Sequence, residues 1–379
     1  MDIEPLVCTM GSRTNSKTMF PEDGLCEYIF FDSVYKDRRN LMSDSTGWAP
    51  DLSTFVEVNL QYSTTAFGVG FAFEKAEHVV LNLKATNPPP LKVFWDKEIY
   101  HFGIVDTPAV GLYQENMNKA FECLKHLRQH ASQKNQEGHM SYIVFAASFP
   151  DDTWAAYYAD QFKNVFQPDL FIAHGHYLEG DNSRADCRVM PPTALTAPQG
   201  GGSSYEHDMT TAVDSLPELD VPGIVRTVFA ISVTMKGRWS TPLPGQPTDF
   251  LSRCSQNPSA APFGSLEEVC NDPNFAGRFA YSQQEASMQA LHSRERLILS
   301  YDNEVGLCKK LCTVKARQPS RYFGVAVFDL DYEDFSNACA SMNREGAFSR
   351  LRAVRGVLNY FRTVYKTAAD EAGCLRLIT

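Results

Sequence analysis

The chain has 379 residues, 44% of them hydrophobic and 12% aromatic, enough to bury a large core in one big domain or two ordinary ones. A formal net charge of -10, without a long Lys/Arg run, makes the chain a poor candidate for binding the phosphate backbone of nucleic acids or anionic membrane surfaces. No apolar stretch approaches the roughly 20 residues of a membrane span, so none is expected.

The first residues, MDIEPLVCTMG, lack the basic and apolar regions of a signal peptide. The 10 cysteines neither repeat as CxxC pairs nor cluster with histidines. That argues against zinc and for long-range disulfides in an oxidising compartment. Together these features predict a secreted, extracellular protein whose leader is absent from this chain. No Asn-x-Ser/Thr acceptor with a permitted middle residue occurs.

Apolar, β-rich runs fall at 4–10, 27–32, 66–73, 100–105, 141–147, 170–174, 227–234 and 322–329. Most are near-continuous rather than alternating, as strands buried on both faces require. A run at 79–83 competes for the third strand. Helical patterns lie between many of these runs, and eight strands so spaced predict an α/β fold, a (β/α)8 barrel.

Two helices are plain. In 114–132, Met117, Phe121, Leu124 and Leu127 form one stripe; in 344–367, Phe348, Leu351, Val354, Leu358, Phe361 and Val364 do the same. A third is expected at 151–166. Residues 191–205 (PPTALTAPQGGGSSY) read as a loop, and QGGGSS lacks the ending and the preceding strand of a phosphate loop. Residues 240–296 are too long for a βα connection, which predicts a small α+β insertion after the seventh strand.

Three stretches resemble animal chitinases and chitinase-like proteins of glycoside hydrolase family 18. They are PLVCTMGSRTNSKTMFPEDGLCEYIFFDSV, GSLEEVC, and SYDNEVGLCKKLCTVKARQPSRYFGVAVFDLDYEDFSNAC. The last carries the family-like Tyr301 and Asp302 and the FDLDYEDF turn. Weaker echoes are KGRW at 236–239 and PDLFIAHGHY at 168–177. The resemblance implies disulfides Cys8–Cys26 and Cys270–Cys339. The pairing of Cys123, Cys187, Cys254, Cys308, Cys312 and Cys374 stays open.

In that family the fourth strand ends in Asp-Gly-x-Asp-x-Asp-Trp-Glu. The Glu is the general acid, and the preceding Asp orients the substrate's N-acetyl group for substrate-assisted attack. Laying YHFGIVDTPAVG on the motif through Gly103 puts Phe102, Val105, Thr107 and Ala109 where the four acids should stand. Neither a methyl nor a hydroxyl group supplies a proton near neutral pH, and general acid catalysis is typically worth about 10²–10⁴-fold. Asp106 falls on the other face of the strand. On the sixth strand, Ala173, His174, Gly175 and His176 match the family's Met-x-Tyr-Asp. On the eighth, Phe328 replaces the Trp that floors the sugar subsite.

The resemblance therefore implies a pseudoenzyme without a cofactor, binding a glycan built of N-acetylglucosamine units or an extracellular protein. The candidate ligand groove comprises Asp106, His174, His176, Arg238, Trp239 and Phe328, with Trp95 as a further stacking ring. One rival is an active glycosidase with Asp106 or Glu115 as a relocated acid. Another is a metal-dependent hydrolase built on His174 and His176, completed by Glu179 or Asp181. Cys123 reads as structural rather than nucleophilic. The acidic turn of Asp329, Asp331, Glu333 and Asp334 reads as structural rather than calcium-binding.

Overall fold

The computed structural model describes residues 1–36, 42, 44–85, 88–109, 111–177, 187–197, 208–220, 227–255 and 262–378. Eight strands close into a parallel barrel in the order β1-β14-β7-β6-β5-β4-β3-β2. They are β1 (Leu6–Met10), β2 (Tyr28–Val34), β3 (Ala66–Phe71), β4 (His101–Ile104), β5 (Ile143–Ala147), β6 (Leu170–Ala173), β7 (Val228–Thr234) and β14 (Gly324–Phe328). The fold is the expected (β/α)8 barrel with an inserted sheet.

The helices among the described residues are α1 (Pro50–Asn59), α2 (Ala76–Leu83), α3 (Lys92–Trp95), α4 (Gln114–Gln136), α5 (Thr153–Asn164), α6 (Met209–Ser215), α7 (Glu267–Cys270), α8 (Glu304–Arg317), α9 (Ser349–Thr363) and α10 (Glu371–Leu375). The rival third strand at 79–83 lies in α2, where Val79 and Leu83 are buried one turn apart. The last long helix is shorter than its apolar pattern. Phe348 sits before it in the left-handed region at φ 57°, and Val364 follows it, 48% exposed.

Two compact units can be described. The first comprises 1–173, 215–231 and 322–326, and all eight barrel strands contribute to it. Its side chains alternate between helices and lumen. Phe31 and Phe67 meet Phe55 of α1, Phe145 meets Phe121 of α4, and Phe171 meets Phe162 of α5, all with centroids 5.0–5.6 Å apart. The intervening residues face the lumen. There Gly68 makes room for Phe30: a Cβ on Gly68 would stand 2.4 Å from the Phe30 ring.

The second unit comprises 174–214, 232–321 and 327–379. Its sheet is built from β8 (Gly237–Pro242), β9 (Cys254–Ser255), β10 (Phe263–Gly264), β11 (Phe279–Ser282), β12 (Ser287–Leu291) and β13 (Ile298–Tyr301). The order is β10-β8-β13-β12-β11, antiparallel throughout, with β9 on β8. The inserted sheet therefore extends beyond the expected 240–296 at both ends. One face carries an apolar core of Leu266, Val269, Phe275, Ala290, Leu299 and Tyr301.

Cys8–Cys26 and Cys270–Cys339 are bridged as the resemblance implied. The pairings left open are Cys187–Cys254 and Cys312–Cys374, while Cys123 and Cys308 are buried thiols. Burial pushes the Cys123 thiol well up and the Cys308 thiol up to about 12, so neither is a ready nucleophile.

Candidate functional site

In a (β/α)8 barrel the chemistry-bearing positions follow the C-terminal ends of the strands. In the first unit these include the residues after β4. Phe102 does not line the lumen. Its ring packs against Phe71 and against Phe94 of α3, with centroids 6.3 and 6.1 Å away, so it faces the helices. Alternation then turns Val105 and Thr107 toward the lumen and Asp106 away from it. Val105 lies beside Gly70, where a Cβ would meet its Cγ2 at 2.9 Å. Thr107 is fully buried, and its hydroxyl has no hydrogen-bond partner among the described residues.

Asp106 is tied into the scaffold. Its Oδ2 accepts from Ser33 Oγ at 3.0 Å, and its Oδ1 accepts the Phe73 N–H at 2.8 Å. The carboxylate thus joins the ends of β2, β3 and β4. Burial, then the nearby charge of Asp32, raises its pKa to about 6; Lys36 and the two hydrogen bonds act in the other direction. Lys36 itself lies 3.7 Å from Asp32. Glu115 stands in the first turn of α4, its side chain 82% exposed and paired with Lys119 at 3.6 Å, in a helix rather than at a strand end.

The second unit holds the residues that follow β6 and end β7 and β14. Phe171 faces helices, so Ile172 and His174 point the other way. His174 and His176 have ring centroids 5.4 Å apart, and Phe328 packs on both, 5.4 Å from His174 and 4.6 Å from His176. All three side chains are buried. Ser232, two residues from the end of β7, holds this turn: its Oγ accepts the Gly175 N–H at 2.8 Å and shares a 2.6 Å hydrogen bond with His176 Nδ1. The pairing is that of a hydroxyl and a base, but Ser232 is fully buried.

Beside this cluster, Thr234 Oγ1 donates to Asp329 Oδ2 at 2.6 Å, and Lys236 pairs with Asp329 Oδ1 at 2.9 Å. Lys236 also lies over the rings of Phe263 and Tyr332. Arg238 is buried with its guanidinium 4.9 Å from the centre of the Tyr177 ring. Trp239, next along β8, points to the opposite face and packs in the apolar core of the inserted sheet, 6.0 Å from Phe275. It is partly buried against that core. Trp95 is buried, under Lys134.

The acidic turn is occupied by internal bonds. Glu333 pairs with Arg350 at 2.7 Å, and Asp334 accepts the N–H groups of Ala338 and Cys339, both at 2.8 Å. Glu179 and Asp181 lie outside the described residues, and among the described residues no group of three metal-ligating side chains occurs. The sequence reading did not single out Ser232, although its place two residues before Thr234 on a buried strand put both hydroxyls on one face. It also passed over Lys310, whose fully buried Nζ donates to Asp302 Oδ1, Thr193 O and Ser287 Oγ at 2.6–2.7 Å.

The sequence matches no protein-family model and no curated protein. The structure is similar to solved chitinases at low identity. An immunomodulatory active chitinase from Trichuris suis superposes with a TM-score of 0.69 at 13% identity, covering 94% of this chain and 100% of that one. Catalytic domain 2 of the Ostrinia furnacalis Group II chitinase gives 0.67 at 13% identity, covering 94% and 97%; a mutant of it was also solved with penta-N-acetylchitooctaose. A chitinase-like agglutinin from Robinia pseudoacacia gives 0.60 at 10% identity, covering 92% and 98%. By its barrel, its inserted sheet and these likenesses, the chain has the fold of the glycoside hydrolase family 18 chitinases.

Proposed function

We propose that this protein is a secreted, catalytically silent chitinase-like protein that binds a glycan without cleaving it. The observation that carries this reading is the closed packing of Phe328 on His174 and His176, with Ser232 bracing the turn. Where the family resemblance places the assisting Asp and the sugar-flooring Trp, His176 and Phe328 are turned inward on one another, and Gly175 holds the place of the assisting Tyr. On the fourth strand, Thr107 and Ala109 hold the places of the orienting and proton-donating acids. The agglutinin among the structural neighbours supports a binding role on this scaffold. Four disulfides support export to an oxidising compartment.

The test is titration calorimetry with the N-acetylglucosamine tetramer, followed by chromatography of the same mixture. Heat of binding with the tetramer intact is the expected result. Shorter oligosaccharides in the mixture would overturn the silent reading, and absence of any heat would overturn glycan binding for this ligand class.

A second reading keeps Asp106 as a relocated acid, favoured by its raised pKa of about 6, in the range a general acid needs. Its two oxygens are engaged by Ser33 and Phe73, which supports the structural role instead. Turnover by the parent protein that disappears in Asp106→Asn would favour the acid.

A further inference from the structure

The N-terminal end of the barrel, opposite the one where such enzymes work, exposes apolar surface. Segments that enter strands there carry half of the strongly exposed large apolar side chains among the described residues: Ile3 before β1, Leu60 before β3, Met140 before β5 and Tyr322 before β14. A pocket of about 370 Å³ opens at the same end. Its lining includes Asn59 and Tyr62, which bracket Leu60 in the chain, and His139, next to Met140.

The rings in this lining sit in a negative field. Tyr100 and His139 stack with centroids 4.4 Å apart and planes 17° from parallel, and Tyr62 adds a further ring. Glu98 brings an exposed carboxylate, and no lysine or arginine lines the pocket among the described residues. Burial, then the charges of Asp23 and Glu22, pushes the Tyr62 phenol up to about 12. Burial, then Glu98, raises the Tyr100 phenol, with Glu137 adding to the effect and Lys134 opposing it. Lys134 is itself paired with Glu137. Asp23 is fixed in place by the N–H groups of Ser63, Thr64 and Thr65, which its carboxylate accepts at 2.8–3.0 Å.

Aromatic ring faces attract cations, and carboxylates beside them strengthen that attraction and repel anions. A guanidinium suits such a place better than an ammonium, because it is planar, stacks on rings and pairs with a carboxylate through two hydrogen bonds. The exposed Leu60 and Met140 beside the pocket favour a ligand whose cation has apolar neighbours. We propose that this end of the barrel docks an arginine-bearing segment of a partner protein. The guanidinium sits among Tyr62, Tyr100 and Glu98, and the apolar neighbours of the arginine cover Leu60 and Met140. The net charge of -10 favours the approach of such a basic partner. This surface is separate from the strand-end face and does not depend on glycan binding there.

The test is an NMR titration of the full chain carrying ¹³C-labelled tyrosine rings, with the two signals assigned from the variants Tyr62→Phe and Tyr100→Phe. The probes are the blocked tripeptides Leu-Arg-Leu, Leu-Gln-Leu and Leu-Glu-Leu at millimolar concentration. Leu-Arg-Leu should shift both signals and bind about 5- to 20-fold more tightly than Leu-Gln-Leu, and Leu-Glu-Leu should leave them unmoved. Glu98→Gln keeps the shape of an exposed side chain and should weaken Leu-Arg-Leu by about 2- to 5-fold while leaving Leu-Gln-Leu unchanged. The proposal fails if neither signal moves, if the arginine and glutamine tripeptides bind alike, or if Glu98→Gln binds Leu-Arg-Leu as tightly as the parent. Shifts of the same signals with protein concentration alone would show a second copy covering this end, and would overturn it too.

Discussion

The ring of Phe328 lies against the imidazole of His176, centroids 4.6 Å apart and planes at 41°, with 1% of the phenyl side and none of the imidazole side exposed to solvent. Residues at the ends of β14 and β6 thus hold each other, and Ser232 of β7 braces the pair through Gly175 and His176. A side chain committed to such packing is unavailable for stacking on a sugar ring.

Ser232→Ala should therefore act on stability. It removes the partner of a buried N–H and of a buried imidazole, and a loss of about 1–3 kcal/mol is expected from urea denaturation. A stability equal to the parent's would mean that Ser232 does not brace this turn.

The charge of Asp106 gives a pH dependence with a defined sign. Its folded pKa of about 6 lies above the ordinary value of 3.8. The folded state therefore holds the extra proton between these values, so this group's contribution to stability is present below about pH 4 and is lost as pH rises through about 6. Asp32→Asn removes the neighbouring charge, should lower the Asp106 pKa, and should raise stability at pH 7.5 by roughly 1–2 kcal/mol relative to the parent. Denaturation curves of the two proteins at pH 4.5 and 7.5 check this; a gap that does not widen with pH would contradict it.

Lys310 and Asp302 are both fully buried, and burial lowers the lysine's pKa while Asp302 opposes that shift. Lys310→Ala leaves the Asp302 carboxylate uncompensated and should cost about 3–5 kcal/mol. The double variant Lys310→Met, Asp302→Asn should lose less than the sum of the single changes, as a double-mutant cycle will read.

Cys123 and Cys308 are buried thiols with raised pKa values, and the other eight cysteines are paired. Iodoacetamide should leave the native protein unlabelled and add two groups after unfolding without reductant. Labelling of native protein would show that one of the thiols is open to solvent.

Much of the fold was legible because barrel strands covered on both faces are written as unbroken apolar runs, such as Ile143 to Ala147. The helix bounds were less so: Phe348 and Val364 continue the apolar spacing of α9, yet one precedes it in left-handed backbone and the other is exposed. The inserted sheet begins at Gly237, directly after β7, and its short strands carry little periodicity. The orientation of Trp239 was not legible for the same reason. Only the pairing of Phe263 and Ser300 with Arg238, and of Leu299 with Trp239, fixes which neighbour faces the apolar core. The Cys187–Cys254 and Cys312–Cys374 bridges close separations of 67 and 62 residues, which no local pattern encodes. Ser232 carries no motif at all; its role comes from partners that follow another strand.

The most direct test of the account returns the two missing acids to the fourth strand. The variant Thr107→Asp, Ala109→Glu should still fail to hydrolyse a fluorogenic chitobioside above the level of the parent, because Gly175, His176 and Phe328 also depart from what cleavage needs. Turnover restored by these two changes alone would contradict the claim that catalytic capacity was lost on several strands.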